Sequence, residues 1–375
     1  MNKQAVLILC KVIDNYGDIG VAYRLAKALS RLRPSLALSL AVSDLAAFKL
    51  LCPRIDSAKT AQRVLVGNAE WLVVDWNARS ARDAQTDPDD LGIIIECFQC
   101  GRPAWLEDAL FSDGFSRTVH IVDIDYLTAE EYADEFHLLK SGTRKTSVKK
   151  ILFMPGFTQK TGGLIFERTE PLPAEQNVFR VLVFSYGRDF LPVVRAMRDF
   201  GRQKKTANPS FSLCALVAAG KSAAPFRAAW ESLGRPFRAE FIDFLPQERW
   251  DALLASCDFA FVRGEDSLSR ACLLGAPFVW HAYAQEDDYQ LVKVSALLSR
   301  MEPFFETRDF EALSDVWKRF NTSERGAGEN ATRLEENIRR LLGRRSVRAG
   351  FAAFGASLIR NGDLAAHLLE YIDSL

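Results

Sequence analysis

The chain has 375 residues, of which 48% are apolar and 26% charged, with 48 basic and 48 acidic side chains. This length exceeds one ordinary hydrophobic core and predicts two folded domains, while the composition excludes extensive disorder and fibrous structure. The formal net charge of +0 argues against a general electrostatic surface for nucleic acid or for an anionic membrane. We therefore expect partners to be recognised at a defined site, with no nucleic acid and no membrane among them.

The cysteines and the N-terminus indicate a cytoplasmic protein. Seven cysteines, an odd number, favour reduced thiols over a disulfide framework. Cys97 and Cys100 follow a buried-looking run without a second C-x-x-C, so the sequence favours buried thiols over a zinc or redox pair. The N-terminal apolar run spans about six residues before charge returns, too short for a signal peptide or a membrane span.

The first part of the chain alternates short apolar runs with helix-like stretches, which is typical of a parallel sheet with crossover helices. The runs are AVLILC, LALSLAV, WLVVDW and LGIIIECF. Two prolines among charged residues in the segment 166–178 then indicate a linker. We predict a first doubly wound α/β domain over residues 1–168.

The alternation restarts after the linker. The runs are FRVLVFSYG, FSLCALVAAG, FRAEFIDFLP, CDFAFVRGED and APFVWHAYA. They predict a second doubly wound α/β domain over residues 178–349. Residues 350–375 are helical in pattern with no strand after them, so we expect this helix to pack back on the first domain.

Two aspartates, Asp14 and Asp18, follow the first apolar run in CKVIDNYGDIG. Ligands of open α/β sheets bind outside the carboxyl ends of the strands, so both carboxylates are expected to face a site. Gly17 and Gly20 without a third glycine do not form the dinucleotide fingerprint G-x-G-x-x-G. One interpretation is turn formation and helix capping. The other is a general base with a neighbour that orients a cationic acceptor such as a guanidinium.

The segment RGEDS, residues 263–267, suits a diphosphate in the second domain. A helix beginning near Ser267 offers free backbone N–H groups and the positive end of its dipole. Arg263 and the Ser267 hydroxyl add hydrogen bonds to phosphate oxygens. Helix capping and a surface ion pair are the alternative interpretation.

Two further groups in the second domain are candidates for sugar and base. After the next strand, Gln285, Glu286 and Asp287 are placed to hydrogen-bond sugar hydroxyls, although acids at a helix start also complement the dipole. In FSYG and DFLPQE, we expect an aromatic ring to stack on a nucleobase and the Gln247 carboxamide to hydrogen-bond to the edge of that base. The alternative for these aromatic residues is core packing.

Two segments of the first domain resemble known motifs only in part. Asp123 and Asp125 form an Asp-x-Asp pair, but in two α/β domains of this kind we expect no metal site. MPGFTQKTGGL, residues 154–164, lacks the G-K-[ST] ending of a phosphate loop, and we interpret it as a mobile loop near the domain junction.

Taken in order, the segments resemble the EarP family of protein-arginine rhamnosyltransferases, which modify translation elongation factor P. The likeness extends from residue 10 to about residue 290 and rests on CKVIDNYGDIGVAYRLAKAL, DYLTAEEY followed by His137, MPGFTQKTGGL, FSYG and RGEDSLSRACLLGAPFVWHAYAQEDDY. One departure is Asp125, where the family usually has glutamate in EYLSAE.

The resemblance implies a GT-B fold, two Rossmann-like domains facing across a cleft, with the acceptor bound mainly by the first and the nucleotide sugar by the second. It implies inverting transfer of rhamnose from TDP-β-L-rhamnose to an arginine of elongation factor P, which relieves ribosome stalling at polyproline, with neither metal nor other cofactor. Asp18 is then the general base, with Asp14 beside it and Glu265 as a further acid. The donor-binding residues that it implies are Tyr186, Phe244, Gln247, Arg263, Asp266 and Ser267.

Two other functions stay open from the residues alone. One is a GT-B transferase that uses another nucleotide sugar and a lipid or small-molecule acceptor, which should carry a basic or apolar patch on its first domain. The other is a non-catalytic protein that binds a nucleotide or the elongation factor. Such a protein should keep its function when Asp14 and Asp18 are replaced.

Overall fold

The computed structural model describes residues 4–13, 16–322 and 329–375. The chain divides into two compact units, Met1–Glu167 with Asn361–Leu375, and Arg168–Arg360. None of the helices in the described ranges is long and apolar enough to cross a membrane.

The first unit is built on an eight-stranded sheet in the order β3-β4-β2-β1-β5-β6-β8-β7. The strands are β1 (Ala5–Cys10), β2 (Ala37–Val42), β3 (Ala61–Val66), β4 (Ala69–Asp75), β5 (Ile93–Cys97), β6 (Val119–Ile124), β7 (Lys140–Ser141) and β8 (Val148–Phe153). The helices are α1 (Gly17–Leu32), α2 (Leu45–Leu51), α3 (Ala104–Leu110) and α4 (Tyr132–Phe136). β3 and β7 run antiparallel to their neighbours, and the other pairs are parallel.

The apolar run of β1 is continuous because both faces of this sheet are covered. Val6, Ile8 and Cys10 join the core cluster beneath α1, whereas Leu7 and Leu9 join a second cluster on the opposite face. The sequence prediction of a doubly wound parallel sheet is confirmed here.

The second unit is built on a five-stranded parallel sheet in the order β11-β10-β9-β12-β13. The strands are β9 (Val178–Val183), β10 (Ser212–Ala218), β11 (Arg238–Ile242), β12 (Phe259–Arg263) and β13 (Phe278–His281). The helices are α5 (Leu191–Ala207), α6 (Ala223–Ser232), α7 (Gln247–Ala255), α8 (Glu265–Leu274), α9 (Gln290–Met301), α10 (Thr307–Asn321), α11 (Glu329–Leu341) and α12 (Arg345–Arg360). Four of these strands lie within the apolar runs that predicted them, and β9 begins one residue before its run.

The C-terminal return to the first unit begins later than residue 350. The helix α12 belongs to the second unit, where its Gly355 leaves no room for a side chain against the Cys272 carbonyl and its Phe351 ring packs 5.1 Å from Phe278. The last helix, α13 (Leu364–Asp373), belongs to the first unit. Its Asp373 carboxylate pairs at 2.6 Å with Arg33, the residue that follows α1.

The segment 154–164 is packed within the first unit, unlike the mobile loop that the sequence suggested. Met154 and Thr161 are buried, and the Gly162 amide donates to the Met154 carbonyl at 2.8 Å. A side chain at Gly162 would collide with the Phe153 ring. The segment that follows β8 is therefore packed against the end of this strand.

All seven cysteines lie within the described ranges and are free thiols. Cys97 is buried and Cys100 half-buried, and burial raises the pKa of the Cys100 thiol to about 12. The prediction of a buried thiol is confirmed for Cys97, whereas Cys100 is only partly buried.

Candidate active site

In the first unit, β1 lies between β2 and β5, so the chain order reverses at β1. A crevice opens at such a reversal, outside the carboxyl ends of the two central strands, and ligands of doubly wound folds bind there. The residues that follow β1 and β5 line this position. Asp18, in the first turn of α1, is one of them.

The Asp18 side chain is buried, with 3% of its surface exposed. Its Oδ2 accepts from the Ile13 amide at 2.8 Å, and its Oδ1 lies 3.4 Å from the Tyr126 hydroxyl. α1 begins at Gly17, one residue before Asp18, and Tyr16 at the N-cap makes no side-chain capping bond. Asp18 is therefore not the N-cap residue of this helix. Asp14 lies outside the described residues.

The Asp-x-Asp pair has an ionic and hydrogen-bonding role in this unit. Lys150 contacts the buried Asp123 at 2.8 Å and the fully buried Glu96 at 2.6 Å. Asp125 instead accepts from the Gln99 side chain at 3.0 Å. In the parts of the chain that the structure describes, no group of three or more His, Cys, Asp or Glu side chains is placed to hold a metal ion.

The second unit has the equivalent crevice between β9 and β12, where its chain order reverses. The Arg263 guanidinium, at the end of β12, lies 4.8 Å from the ring centres of Phe184 and Tyr186, which follow β9. Two of the predicted donor-binding residues, Arg263 and Tyr186, are thus brought into contact. A guanidinium that packs against aromatic rings can present its N–H edge to an anion.

The helix α8 begins at Glu265, and its N-cap Gly264 has a φ of 72°, in the left-handed region that favours glycine. Glu265 and Asp266 occupy the first turn, and Ser267 is buried. The backbone amides at the start of this helix lie at the carboxyl end of β12, the position at which helix N-termini bind phosphate groups.

A buried histidine, His281 at the end of β13, supports the same crevice. Its Nδ1 lies 2.7 Å from the Ser185 hydroxyl, and its ring packs 5.3 Å from that of Tyr186. Burial, with the nearby Arg188 and Arg263 charges, lowers the pKa of His281 to about 3. The imidazole is therefore neutral near pH 7, and the cationic character of this crevice comes from its arginines.

The segment that holds Gln285, Glu286 and Asp287 is exposed and precedes α9 as a short turn. The buried side-chain carboxamides of Gln290 and Asn321 hydrogen-bond to the backbone of this segment and to the backbone before it. Gln290 accepts from the Gln285 amide at 2.9 Å, and Asn321 accepts from the Ala282 amide at 2.8 Å while donating to the Trp280 carbonyl at 2.7 Å.

The two remaining predicted donor residues lie at the carboxyl end of β11. Phe244 is 42% exposed, so the core-packing alternative does not account for this ring. Gln247 is buried in the first turn of α7. Both residues follow an edge strand two positions from β9, on the same edge of the sheet as Tyr186.

Sequence reasoning missed four residues that shape these two positions: Tyr126, His281, Gln290 and Asn321. Tyr126 stands beside Asp125 in a segment that carried the family likeness, so a signal for it existed. Asn321 lies 39 residues from the Ala282 amide that it accepts from, and no local pattern announces that contact.

The comparisons with known proteins agree with this architecture. The family model for Elongation-Factor P (EF-P) rhamnosyltransferase EarP matches residues 6–373. A protein-arginine rhamnosyltransferase of Pseudomonas putida is 31% identical over 338 residues, covering 84% of this chain and 86% of the relative. Another, of Neisseria meningitidis serogroup B, is 32% identical over 322 residues, covering 80% and 79%.

Solved structures share the fold. One, described as the structural basis for EarP-mediated arginine glycosylation of translation elongation factor EF-P, has a TM-score of 0.57 at 22% identity and covers 99% of both chains. A putative UDP-N-acetylglucosamine 2-epimerase from Listeria monocytogenes has a TM-score of 0.54 at 11% identity, covering 100% of this chain and 96% of its own.

Two doubly wound units, each with polar residues at the reversal of its sheet, are the architecture of the GT-B fold. The family match over nearly the whole chain is more specific. The chain belongs to the EarP family of protein-arginine rhamnosyltransferases.

Proposed function

We propose that this protein transfers L-rhamnose from TDP-β-L-rhamnose to an arginine side chain of translation elongation factor P, with inversion at the sugar carbon. The observation that carries the proposal is the family match over residues 6–373, combined with a buried carboxylate, Asp18, at the sheet reversal of the first unit. We infer a cytoplasmic location, because the acceptor works in translation.

The acceptor chemistry accounts for a carboxylate base. An arginine side chain has a pKa above about 12, so it arrives charged and without a free nucleophilic lone pair. In the proposed step, a guanidino nitrogen attacks the anomeric carbon while the bond from that carbon to the diphosphate oxygen breaks. Asp18 takes the proton that the nitrogen loses, and TDP leaves with the bonding electron pair. Asp14 and Glu265 are proposed as further carboxylates that orient the guanidinium.

The donor chemistry accounts for the cationic second unit. The departing diphosphate gains negative charge, and fixed donors stabilise it more as the bond breaks. We assign this role to Arg263, the Ser267 hydroxyl and the amides at the start of α8. Since these groups can stabilise the leaving group, the proposal includes no catalytic metal and no cofactor beyond the donor substrate.

The remaining donor residues are assigned by position. Tyr186, Phe244 and Gln247 would contact thymine by stacking and by hydrogen bonds to its edge. Asp266, Gln285, Glu286 and Asp287 would bind sugar hydroxyls.

The test is intact-mass analysis of unmodified elongation factor P after incubation with this protein and TDP-β-L-rhamnose. We expect a gain of one deoxyhexosyl unit, which peptide mapping places on an arginine. The Asp18→Ala variant should give no gain while binding TDP normally. TDP-glucose serves as the matched donor control.

Other outcomes would redirect the proposal. TDP binding without any mass gain would indicate another acceptor or sugar. Faster transfer from TDP-glucose than from TDP-β-L-rhamnose would reject the proposed sugar. An α-configured rhamnosyl arginine in the product, determined by NMR, would agree with inversion of the β-donor, and a β-configured product would contradict it.

A further inference from the structure

Tyr126 supplies the second described hydrogen bond of the Asp18 carboxylate. Its hydroxyl lies 3.4 Å from Oδ1, while the Ile13 amide donates to Oδ2 at 2.8 Å. Hydrogen bonds to both oxygens restrict rotation of the carboxylate plane. Catalytic hydrogen bonds are often long without substrate and shorten in the reacting complex, so the 3.4 Å separation is compatible with a functional contact.

The Tyr126 side chain is itself held in place. Its ring stacks on Phe98 with centroids 4.6 Å apart and planes 19° from parallel. Its backbone amide donates to Asp125 Oδ1 at 2.7 Å, and Gln99 donates to Asp125 Oδ2 at 3.0 Å. Tyr126 is nevertheless 37% exposed, so this support does not serve to bury a core residue.

The supporting turn adopts an uncommon backbone. Phe98 and Gln99, directly after β5, have φ values of 64° and 53°, the left-handed region that bulky residues seldom occupy. The Phe98 amide donates to the Ile124 carbonyl at 2.6 Å, and the Gln99 amide donates to Asp123 Oδ1 at 3.2 Å. Such conformations persist only where surrounding contacts fix them, and they concentrate at functional sites.

The ionic network beneath the turn provides that fixation. Asp123 is buried and pairs with Lys150 at 2.8 Å, and the same ammonium contacts Glu96 at 2.6 Å. Glu96 also pairs with Arg102. A chain of contacts thus connects a buried ion cluster, through the left-handed turn, to the ring whose hydroxyl reaches Asp18.

We propose that Tyr126 is a positioning residue for Asp18, held by the turn at Phe98 and Gln99, and that it sets the direction of the carboxylate that receives the guanidino proton. This rests on the proposed function, in which Asp18 is the base. The Tyr126 hydroxyl acts through Asp18 and has no part in binding the nucleotide sugar.

The experiment compares Tyr126→Phe with the wild-type protein in steady-state rhamnosylation of elongation factor P. We expect kcat to fall about tenfold, because a hydrogen bond to a charged group is lost. The KM values for both substrates and the Kd for TDP should stay within about twofold of wild type. Phe98→Leu, which removes the stacked ring and keeps the hydroxyl, should lower kcat about threefold.

Tyr371→Phe is the matched control, because Tyr371 is a phenol of the same unit on α13 and should give wild-type values. A Tyr126→Phe variant with normal kcat, beside an inactive Asp18→Ala variant, would overturn the positioning role and leave the base assignment intact. An active Asp18→Ala variant would overturn both. A rise in KM for elongation factor P at constant kcat would make Tyr126 an acceptor contact instead. A kcat loss matched by a lower Tm would overturn the proposal as well, since fold damage would explain it.

Discussion

The two sheet reversals of this protein have the same topology but differ in the side chains that surround them. Around Asp18 in the first unit, the described side chains are carboxylates, hydroxyls and an ion network with Lys150. Around Arg263 in the second unit, they are aromatic rings, a second arginine and a neutral histidine, with the carboxylates of Glu265 and Asp266 in the first turn of α8. The comparison teaches that the fold supplies a place for a ligand, while the residues after each strand decide its charge.

The sharpest test of this difference is Asp18→Ala. We expect transfer to fall by about a thousandfold or more, as the loss of a general base does. The Kd for TDP, measured by calorimetry, should not change, because that site is assigned to the second unit. A variant that transfers rhamnose at a near-normal rate would remove Asp18 from the base role.

The ion network of the first unit is tested by Lys150→Met. The buried carboxylates of Glu96 and Asp123 would lose their shared partner, which we expect to lower the free energy of unfolding by about 3 kcal/mol. Denaturant unfolding measures this loss, and Lys150→Arg serves as the charge-preserving control. Equal stability of the methionine variant and wild type would show that the network does not support this region.

The cationic character of the second unit is tested by Arg263→Ala. We expect the Kd for TDP to rise about thirtyfold, since a charge-assisted contact to the diphosphate is lost. Arg263→Lys should recover part of the affinity, as it keeps the charge but not the planar fork. An unchanged Kd in the alanine variant would place the diphosphate elsewhere.

The smallest effect concerns pH and the neutral His281. Its pKa of about 3 in the folded state lies below the ordinary value of 6.5, so the unfolded chain binds its proton first as the pH falls. This difference in proton binding lowers the free energy of unfolding at acid pH. The loss is absent above about pH 6.5 and grows as the pH falls to the folded-state pKa. It reaches up to about 2 kcal/mol at pH 5.

Unfolding titrations at pH 7, 6 and 5 measure that loss. His281→Asn should flatten the loss of stability, while His137, whose pKa burial lowers to about 4, continues to contribute in both proteins. Identical slopes for the variant and wild type would show that His281 is protonated without cost.

The sequence by itself determined the fold class and most of the strands. Continuous apolar runs such as AVLILC bury both faces of a strand, and such burial is typical of a parallel sheet between helices. The same local pattern placed Asp18 in the segment after β1 and Arg263 at the end of β12, because the chain leaves a buried parallel strand at the carboxyl edge of the sheet.

Only the tertiary structure decided which distant residues support these positions. The Tyr126 hydroxyl reaches Asp18 across 108 positions of sequence, and Asn321 reaches the Ala282 amide across 39. The left-handed turn at Phe98 and Gln99 has no glycine at these positions from which it could be predicted. Hydrogen bonds to β6 stabilise it. Local propensity cannot encode such contacts, because their free energy exists only after the strands have paired.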